Sequence, residues 1–521
     1  MGSGRHKRLT SVEPRPGGTT VSEHHSSTPE QDGAADAPVF TARKNGQAQT
    51  VSDELAAWMR TGWADTEDRD PEPVEQAAYT AKRREALSAR FPGERLVVPA
   101  GGLTTRSNDT EYPFRPTCDY VYLSGDRSDD GCLVLEPRAG GGHDAAVYLR
   151  PRSNRDDGEF WLDSHGELWS GRRHSLAESA RRLGLPAHDV RRLPRILGAV
   201  PAAPVRILRG HDAGLDEAVA GVRSQAGESA GTAAERDEEL AVALHDQRLV
   251  KDEWEVAQLQ RAVDATVLGF GDVAEALPRA RATSERYIEG TFFLRARVEG
   301  NDVGYGTIAA SGPNATTLHW MSNDGPVREG ELLLLDAGVE TTTLYTADVT
   351  RTLPVSGRFT PLQRRVYELV YAAQEAAIAA VAPGRPFTEY HRVAQRALAE
   401  GLVEWGLLEG PADRVVELGL QRRYTLHGTG HMLGLDVHDC AKARTEAHLY
   451  GDLQPGMVLT VEPGLYFQPD DLTVPEELRG IGVRIEDDVL VTSEGNRVLS
   501  AGLPRTADDV EAWLAERLPR A

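Results

Sequence analysis

The sequence predicts a mixed α/β (α+β) chain: a polar N-terminal tail, an α/β domain, and a larger region built from two similar halves. Three observations carry this. A length of 521 residues with 40% hydrophobic content allows two or three domains, each with its own core. Between 75 and 244, strand-like apolar runs alternate with helical stretches, the pattern of an α/β layer. From 245 onward the order helix, helix, strands, hairpin occurs twice, which fits a pseudo-two-fold arrangement, although no residue-level repeat accompanies it.

In chain order, residues 1–51 are polar, rich in Gly, Ser, Thr, Pro and His, and read as a disordered tail. Residues 52–74 read as a short helix, capped by Ser52 or Asp53, and a linker. The first domain, 75–244, opens with a helix from Glu75 to Arg90. The runs RLVVPAG, DYVYLSG, CLVLEP and AAVYLR read as strands, and Ser175–Leu183 as a helix. Val222–Glu238 is Ala-, Gly- and Glu-rich and reads as a loop feeding a helix. The second domain, 245–521, starts with a predicted helix from His245 to Asp264, whose Val256, Leu259, Ala262 and Val263 form one apolar face. Helices follow near Thr266–Ala276 and Thr283–Val298, then strands at Gly304–Gly312 and Thr316–Trp320. Leu332–Leu335 reads as a buried strand ending on Asp336. Thr341–Thr343 turn the chain, and Leu344–Leu353 returns, so that Asp336 and Asp348 face each other across a hairpin. Thr360–Ala382 and Phe387–Trp405 read as helices. The histidine-rich tract that follows, Met457–Pro463 and Val483–Val491 read as strands, and Asp508–Leu518 as a closing helix.

The net charge of −22, from 58 basic and 80 acidic residues, argues against nucleic acid or an anionic membrane as a partner. Three cysteines without framework spacing, Cys118, Cys132 and Cys440, fit a reducing cytoplasm. No apolar run is long enough for a membrane span, and the N-terminus lacks a signal core.

The chemistry concentrates between Leu332 and Asp487: LLLLDAG with Asp336, TADVTRT with Asp348, HGTGHMLGLDVHD with His427, His431 and His438, TVEPGLY with Glu462, and GVRIEDD with Glu486. An aspartate directly after four leucines is costly to bury without a partner. Four carboxylates and an imidazole, with no thiolate, form a hard ligand set suited to Mn, Co, Fe or Zn. That is more negative charge than one divalent ion needs. Two ions sharing bridging carboxylates, roughly 3.5–4 Å apart with a hydroxide between them, would balance it. His427 and His431 are four apart, but Gly428 and Gly430 lie between them and no HExxH glutamate is present, so a zinc-binding helix is excluded. A glycine-rich strand or loop whose backbone approaches a ligand closely is expected instead.

These motifs, in this order, resemble the proline-specific metallopeptidases of the pita-bread fold, and within them aminopeptidase P, the Xaa-Pro aminopeptidases. The resemblance implies that Asp336, Asp348, His431, Glu462 and Glu486 hold two divalent ions, Mn2+ by family expectation, with Co2+ or Zn2+ satisfying the same ligands. Asp348 and Glu486 would bridge. His319 in TTLHWMSND, His427 and His438 match the histidines lining the substrate site, and Arg484 matches an arginine that supports the ligands. Glu462 would shuttle a proton, and His438 would donate to the oxyanion. The spacing from Asp336 to Asp348 is one residue longer than the commonest form, which a longer turn at Thr341–Thr343 absorbs. RSNDTEYPFRPTCDYVYLSGD (Arg106–Asp126) and WSGRR (Trp169–Arg173) resemble tracts of the aminopeptidase P N-terminal domain, a scaffold that narrows access to the metals. The implied reaction is hydrolysis of the first peptide bond in peptides with proline at position 2, by a homodimer or homotetramer. Prolidase, acting on Xaa-Pro dipeptides, shares all five ligands. Methionine aminopeptidase lacks so large an N-terminal domain, and a metal-free creatinase-type relative or binding module would have lost ligands that are intact here.

Overall fold

Residues 40–44, 47–64, 69–108, 110–156, 158–163, 165–198 and 203–518 are described by the computed structural model of the chain. Residues 1–39 of the expected tail, and Asp109 of the Arg106–Asp126 tract, lie outside them. The last part of that tail is not shapeless: Phe40–Lys44 pairs antiparallel with Gln47–Val51. The two strands flank Asn45-Gly46, a two-residue hairpin signal, in the sequence. Ser52 then caps the helix Asp53–Met59 through the Leu55 N–H.

The N-terminal domain is a five-stranded mixed sheet. Its order is Ala187–Asp189, His143–Leu149, Cys132–Pro137, Arg95–Pro99 and Val205–Ile207. Helix Ala77–Arg90 opens it. Two expectations fail here. DYVYLSG is helical over Cys118–Ser124, closed by Gly125 in the left-handed conformation. Every residue from Tyr120 to Ser124 is buried, so the run lacks the one-sided pattern that separates helix from strand. The expected loop at 222–238 is largely helix, Ala213–Gln225 and Ala230–Arg248, and its abundant alanine is the reason.

The predicted helix His245–Asp264 is two helices. One ends at Arg248, and the next runs Glu253–Ala280 without the break expected after Asp264. Asp252 caps it in a reciprocal box with Glu255. This long helix packs on Glu285–Glu299, and Pro361–Ala380 packs on Glu389–Glu404. Each helix pair precedes strands of one small antiparallel sheet. The first sheet is Ile308–Ser311, Leu332–Ala337 and Val349–Pro354; the second is Val458–Val461, Asp487–Val491 and Asn496–Val498. The duplicated element order is therefore real. Thr316–Trp320 is not a strand: residues 312–316 form a 3-10 turn and the chain continues irregularly. Val483–Val491 is split, because Gly482–Arg484 pairs with Gly464–Tyr466 whereas Asp487–Val491 pairs with Val458–Val461. The two halves are joined where the Glu486 N–H donates to Thr350 O at 3.0 Å and the Asp348 N–H donates to Asp488 Oδ2 at 3.1 Å.

Candidate metal centre and substrate cleft

Asp336 sits on the central strand of the first sheet, opposite Thr350, one residue inside the strand end. The chain between Asp336 and Asp348 turns tightly at Thr341–Tyr345. Leu344 there takes φ +70°, a left-handed conformation unusual for a branched side chain, and is held by burial. Asp348 immediately precedes the returning strand. Glu486 lies in the two-residue gap between Gly482–Arg484 and Asp487–Val491, and Glu462 just past the end of Val458–Val461. Of the two forms expected for the histidine tract, strand or loop, it takes the irregular loop. It touches the second sheet at His431, whose N–H donates to Thr460 Oγ1 at 3.1 Å and whose carbonyl accepts from the Thr460 N–H at 2.9 Å. Gly430 is required by that approach, since a Cβ there would collide with Thr460 O. The close backbone neighbour is thus a strand of the protein itself.

All nine residues singled out in the sequence line one cavity of about 420 Å3: Asp336, Asp348, His431, Glu462, Glu486, His319, His427, His438 and Arg484. Its apolar wall includes Ile308, Leu318, Met321 and Val437. One oxygen each from Asp348 and Glu486 and a ring nitrogen of His431 lie within 4.8 Å of one another. His431 Nε2 is 3.3 Å from Asp348 Oδ2 and 3.6 Å from Glu462 Oε1. Its Nδ1, 3.1 Å from Met432 O, is the donor to that carbonyl, leaving Nε2 aimed into the cavity. The rings of His431 and His438 meet edge to face at 4.3 Å.

The carboxylates crowd one another. Burial and then the Asp348 charge raise Glu486 well above the ordinary carboxylate range. Asp336 is also raised: burial and Asp348 outweigh the Arg484 guanidinium 2.5 Å away. Glu462 goes the other way. Burial pushes it up, but the His427 hydrogen bond, with His431 and Arg484, holds it at about 2. Like charges buried together call for cations, and oxygen-rich carboxylates with one free imidazole nitrogen are the donors that divalent ions of the Mn, Co or Zn type accept. The donor set fits such ions.

Sequence reasoning missed the groups that hold these side chains. Tyr305 Oη donates to Asp336 Oδ1 at 2.7 Å, and Thr350 Oγ1 to Glu486 Oε2 at 2.7 Å. Arg484 bonds Asp336, Thr350 and Tyr466 together. Tyr466 Oη in turn lies 2.8 Å from His427 Nε2. Thr350 and Tyr466 stood inside the quoted TADVTRT and TVEPGLY motifs. Tyr305 carried no local signal.

Comparison with known proteins agrees with this geometry. Residues 257–493 match the model for metallopeptidase family M24, and 80–204 match the aminopeptidase P N-terminal domain. Xaa-Pro aminopeptidase 1 of Streptomyces coelicolor is 64% identical over 94% of this chain and 98% of its own length. The chain belongs to the aminopeptidase P family. The Escherichia coli Xaa-Pro aminopeptidase is a more distant member, 33% identical over 83% of this chain and 96% of its own. Among solved structures, Pseudomonas aeruginosa aminopeptidase PepP superposes with a TM-score of 0.75 at 32% identity, covering 86% of this chain and 99% of that one. Zinc-substituted E. coli aminopeptidase P in complex with product gives 0.77 at 31%, covering 86% and 100%. The pita-bread catalytic domain behind an aminopeptidase P N-terminal domain, expected from the motifs, is therefore the family architecture of this chain.

Proposed function

We propose that this chain is an Xaa-Pro aminopeptidase, releasing the first residue from peptides with proline at position 2. The observation that carries the reading is the convergence of four carboxylates, His431 and three further histidines on one cavity, in a chain 64% identical to an Xaa-Pro aminopeptidase over nearly its whole length. Asp336, Asp348, His431, Glu462 and Glu486 would hold two divalent ions, which we propose to be manganese. Bound there, such ions would lower the pKa of water from about 16 toward about 7 and polarise the scissile carbonyl.

The protein's own groups do the rest. Asp336, pinned by Tyr305 and Arg484, presents fixed negative charge to the free amine of the substrate. Glu462, kept ionised by His427, accepts a proton from the attacking water and delivers it to the proline nitrogen, which must be protonated to leave. The scissile bond has no N–H, so recognition falls on the carbonyl and on the ring. His438, which lines the cleft, would donate to the carbonyl oxygen as charge develops, a contact worth about 3–4 kcal/mol at a typical oxyanion site. His319 and His427 line the leaving-group side, and the apolar wall receives side chains. Three buried thiols, none in a disulfide, support the proposed cytoplasmic setting. Among the described residues no helix is long and apolar enough to cross a membrane.

The test compares Xaa-Pro-Yaa, Xaa-Ala-Yaa, N-acetylated Xaa-Pro-Yaa and the Xaa-Pro dipeptide with metal-loaded enzyme. The expected order places Xaa-Pro-Yaa first and the acetylated peptide at background. Preference for the dipeptide would instead indicate a prolidase. Equal rates on alanine and proline peptides, or cleavage of the acetylated one, would reject the assignment.

A further inference from the structure

The segment YPFR near the start of the N-terminal domain is far in sequence from the catalytic motifs, yet its arginine reaches both of them. Arg115 Nε donates to Glu340 Oε2 at 2.6 Å. Glu340 is buried and lies four residues past Asp336, before the turn toward Asp348. Arg115 Nη2 donates to the carbonyl of Leu435, between His431 and His438. Its Nη1 meets Cys118 Sγ at 3.2 Å, and that thiol is 3.0 Å from Asp436 Oδ1 in the same loop.

The two histidines of the loop are not held alike. His431 is fixed from within the catalytic domain by Thr460, and the chain stays tied to Val458–Val461 as far as Leu433, whose N–H donates to Val458 O at 3.0 Å. Beyond Gly434 the backbone leaves the sheet. Between there and His438 it is gripped at Leu435 and Asp436 by side chains of the other domain, and it returns where the Asp439 N–H donates to Met432 O at 2.9 Å. A planar guanidinium can serve a carboxylate and a carbonyl at once, whereas an ammonium on a flexible stem cannot reproduce that fork.

We propose that Arg115 is a positioning residue for the peptidase reaction. It clamps the Leu435–His438 loop to the aspartate hairpin, so that the N-terminal domain sets where His438 stands while His431 and the metal ligands are held independently. This rests on the function proposed above, through the role given to His438. The consequence is a selective defect. Loss of the clamp displaces His438 but leaves the metals bound, and a displacement of about 1 Å at a reacting group can lower a rate by about 100-fold.

The test uses the full metal-loaded chain. Arg115→Lys keeps a cation beside buried Glu340 and so keeps the fold, and Arg115→Ala removes both contacts. The expected result for Arg115→Lys is a kcat at least about tenfold lower, a KM within about twofold, unchanged metal content and melting temperature, and faster amide exchange in the segment 434–439. Arg138→Lys, at an exposed turn of the N-terminal domain, serves as the unaffected control. Unchanged kcat and exchange in Arg115→Lys would overturn the proposal, as would a kcat that falls only in step with lost metal. If the wild type fails to cleave proline peptides, the functional reading falls by itself. Amide exchange then still decides whether Arg115 holds the loop: faster exchange in the variant upholds the clamp, and unchanged exchange overturns it.

Discussion

Replacing Asp439 by asparagine should be among the most damaging single-atom changes available in this chain. Asp439 is buried between two cations. Its Oδ1 accepts from Arg248 Nη2 at 2.7 Å and its Oδ2 from Lys251 Nζ at 3.1 Å. Side-chain exposures are 2% for Arg248, 0% for Lys251 and 2% for Asp439. Arg248 retains Asp119 at 2.5 Å, but Lys251 keeps only neutral hydrogen-bond partners, Arg248 O at 2.8 Å and Cys440 Sγ at 4.0 Å. Uncovering a buried charge in this way costs about 3–5 kcal/mol. Urea unfolding followed by tryptophan fluorescence measures it. Lys251→Met in the same chain removes the orphaned charge and should recover much of the loss. The pH dependence gives a second reading. Burial pushes the Asp439 carboxyl up, but Arg248 and Lys251 hold it well below the ordinary range. Its contribution is therefore present above the unfolded value of about 3.9 and is lost as pH falls through the folded one. Lys251 is raised despite burial, by the neighbouring Cys440 and Asp439. Its contribution is complete below an unfolded value of about 10.4 and disappears as pH rises through the folded one. The pair should thus be flat across neutral pH, and Asp439→Asn should lose less stability on acidification than the wild type. A cost below about 1 kcal/mol, or an unchanged acid response, would refute the argument.

Asp348→Asn should carry fewer than two metal ions per chain by elemental analysis, with turnover falling in parallel. His438→Ala should lower kcat by about 100-fold while moving KM little, since an oxyanion contact strengthens only in the transition state; steady-state kinetics on an Xaa-Pro-Yaa peptide checks it. Gly430→Ala should force the histidine tract off Thr460 and cost about 1–3 kcal/mol in a urea melt, with metal affinity falling as His431 moves. A chain begun at Phe40 should keep the activity and melting temperature of the full one, because the composition of residues 1–39 cannot bury a core; a loss of either would show that they do.

What was legible in the sequence was what repeats a local pattern or carries rare chemistry. The four leucines before Asp336 announced a buried strand, Ser175–Leu183 announced a helix, and the nine acidic, histidine and arginine residues singled out in the motifs all line the cavity. Apart from the alanine-rich helices at 222–238, the failures below share one cause, long-range burial overriding local pattern. Tyr120–Ser124 is buried on all sides and gave no period to read. The break at Leu249–Asp252 exists because Lys251 is drawn inward to Asp439, 188 residues away. Val483–Val491 reads as one strand, yet its two parts serve different partners, and the gap between them is what turns Glu486 into the cavity. Tyr305 was invisible because its function depends on Asp336 across the sheet.

One apolar cluster holds Leu87, Leu96, Leu133 and Leu244 of the N-terminal domain together with Leu344, Tyr345, Leu433 and Leu435 of the catalytic one. The two family domains are thus separable in ancestry but not in folding. Part of each interior is shared with the other, and the ion pairs of Arg83 with Glu255 and of Arg248 with Asp119 cross the same seam. Heating should melt them in a single cooperative step. The N-terminal domain could then not be exchanged for that of a distant relative without recutting the face on which the histidine loop rests.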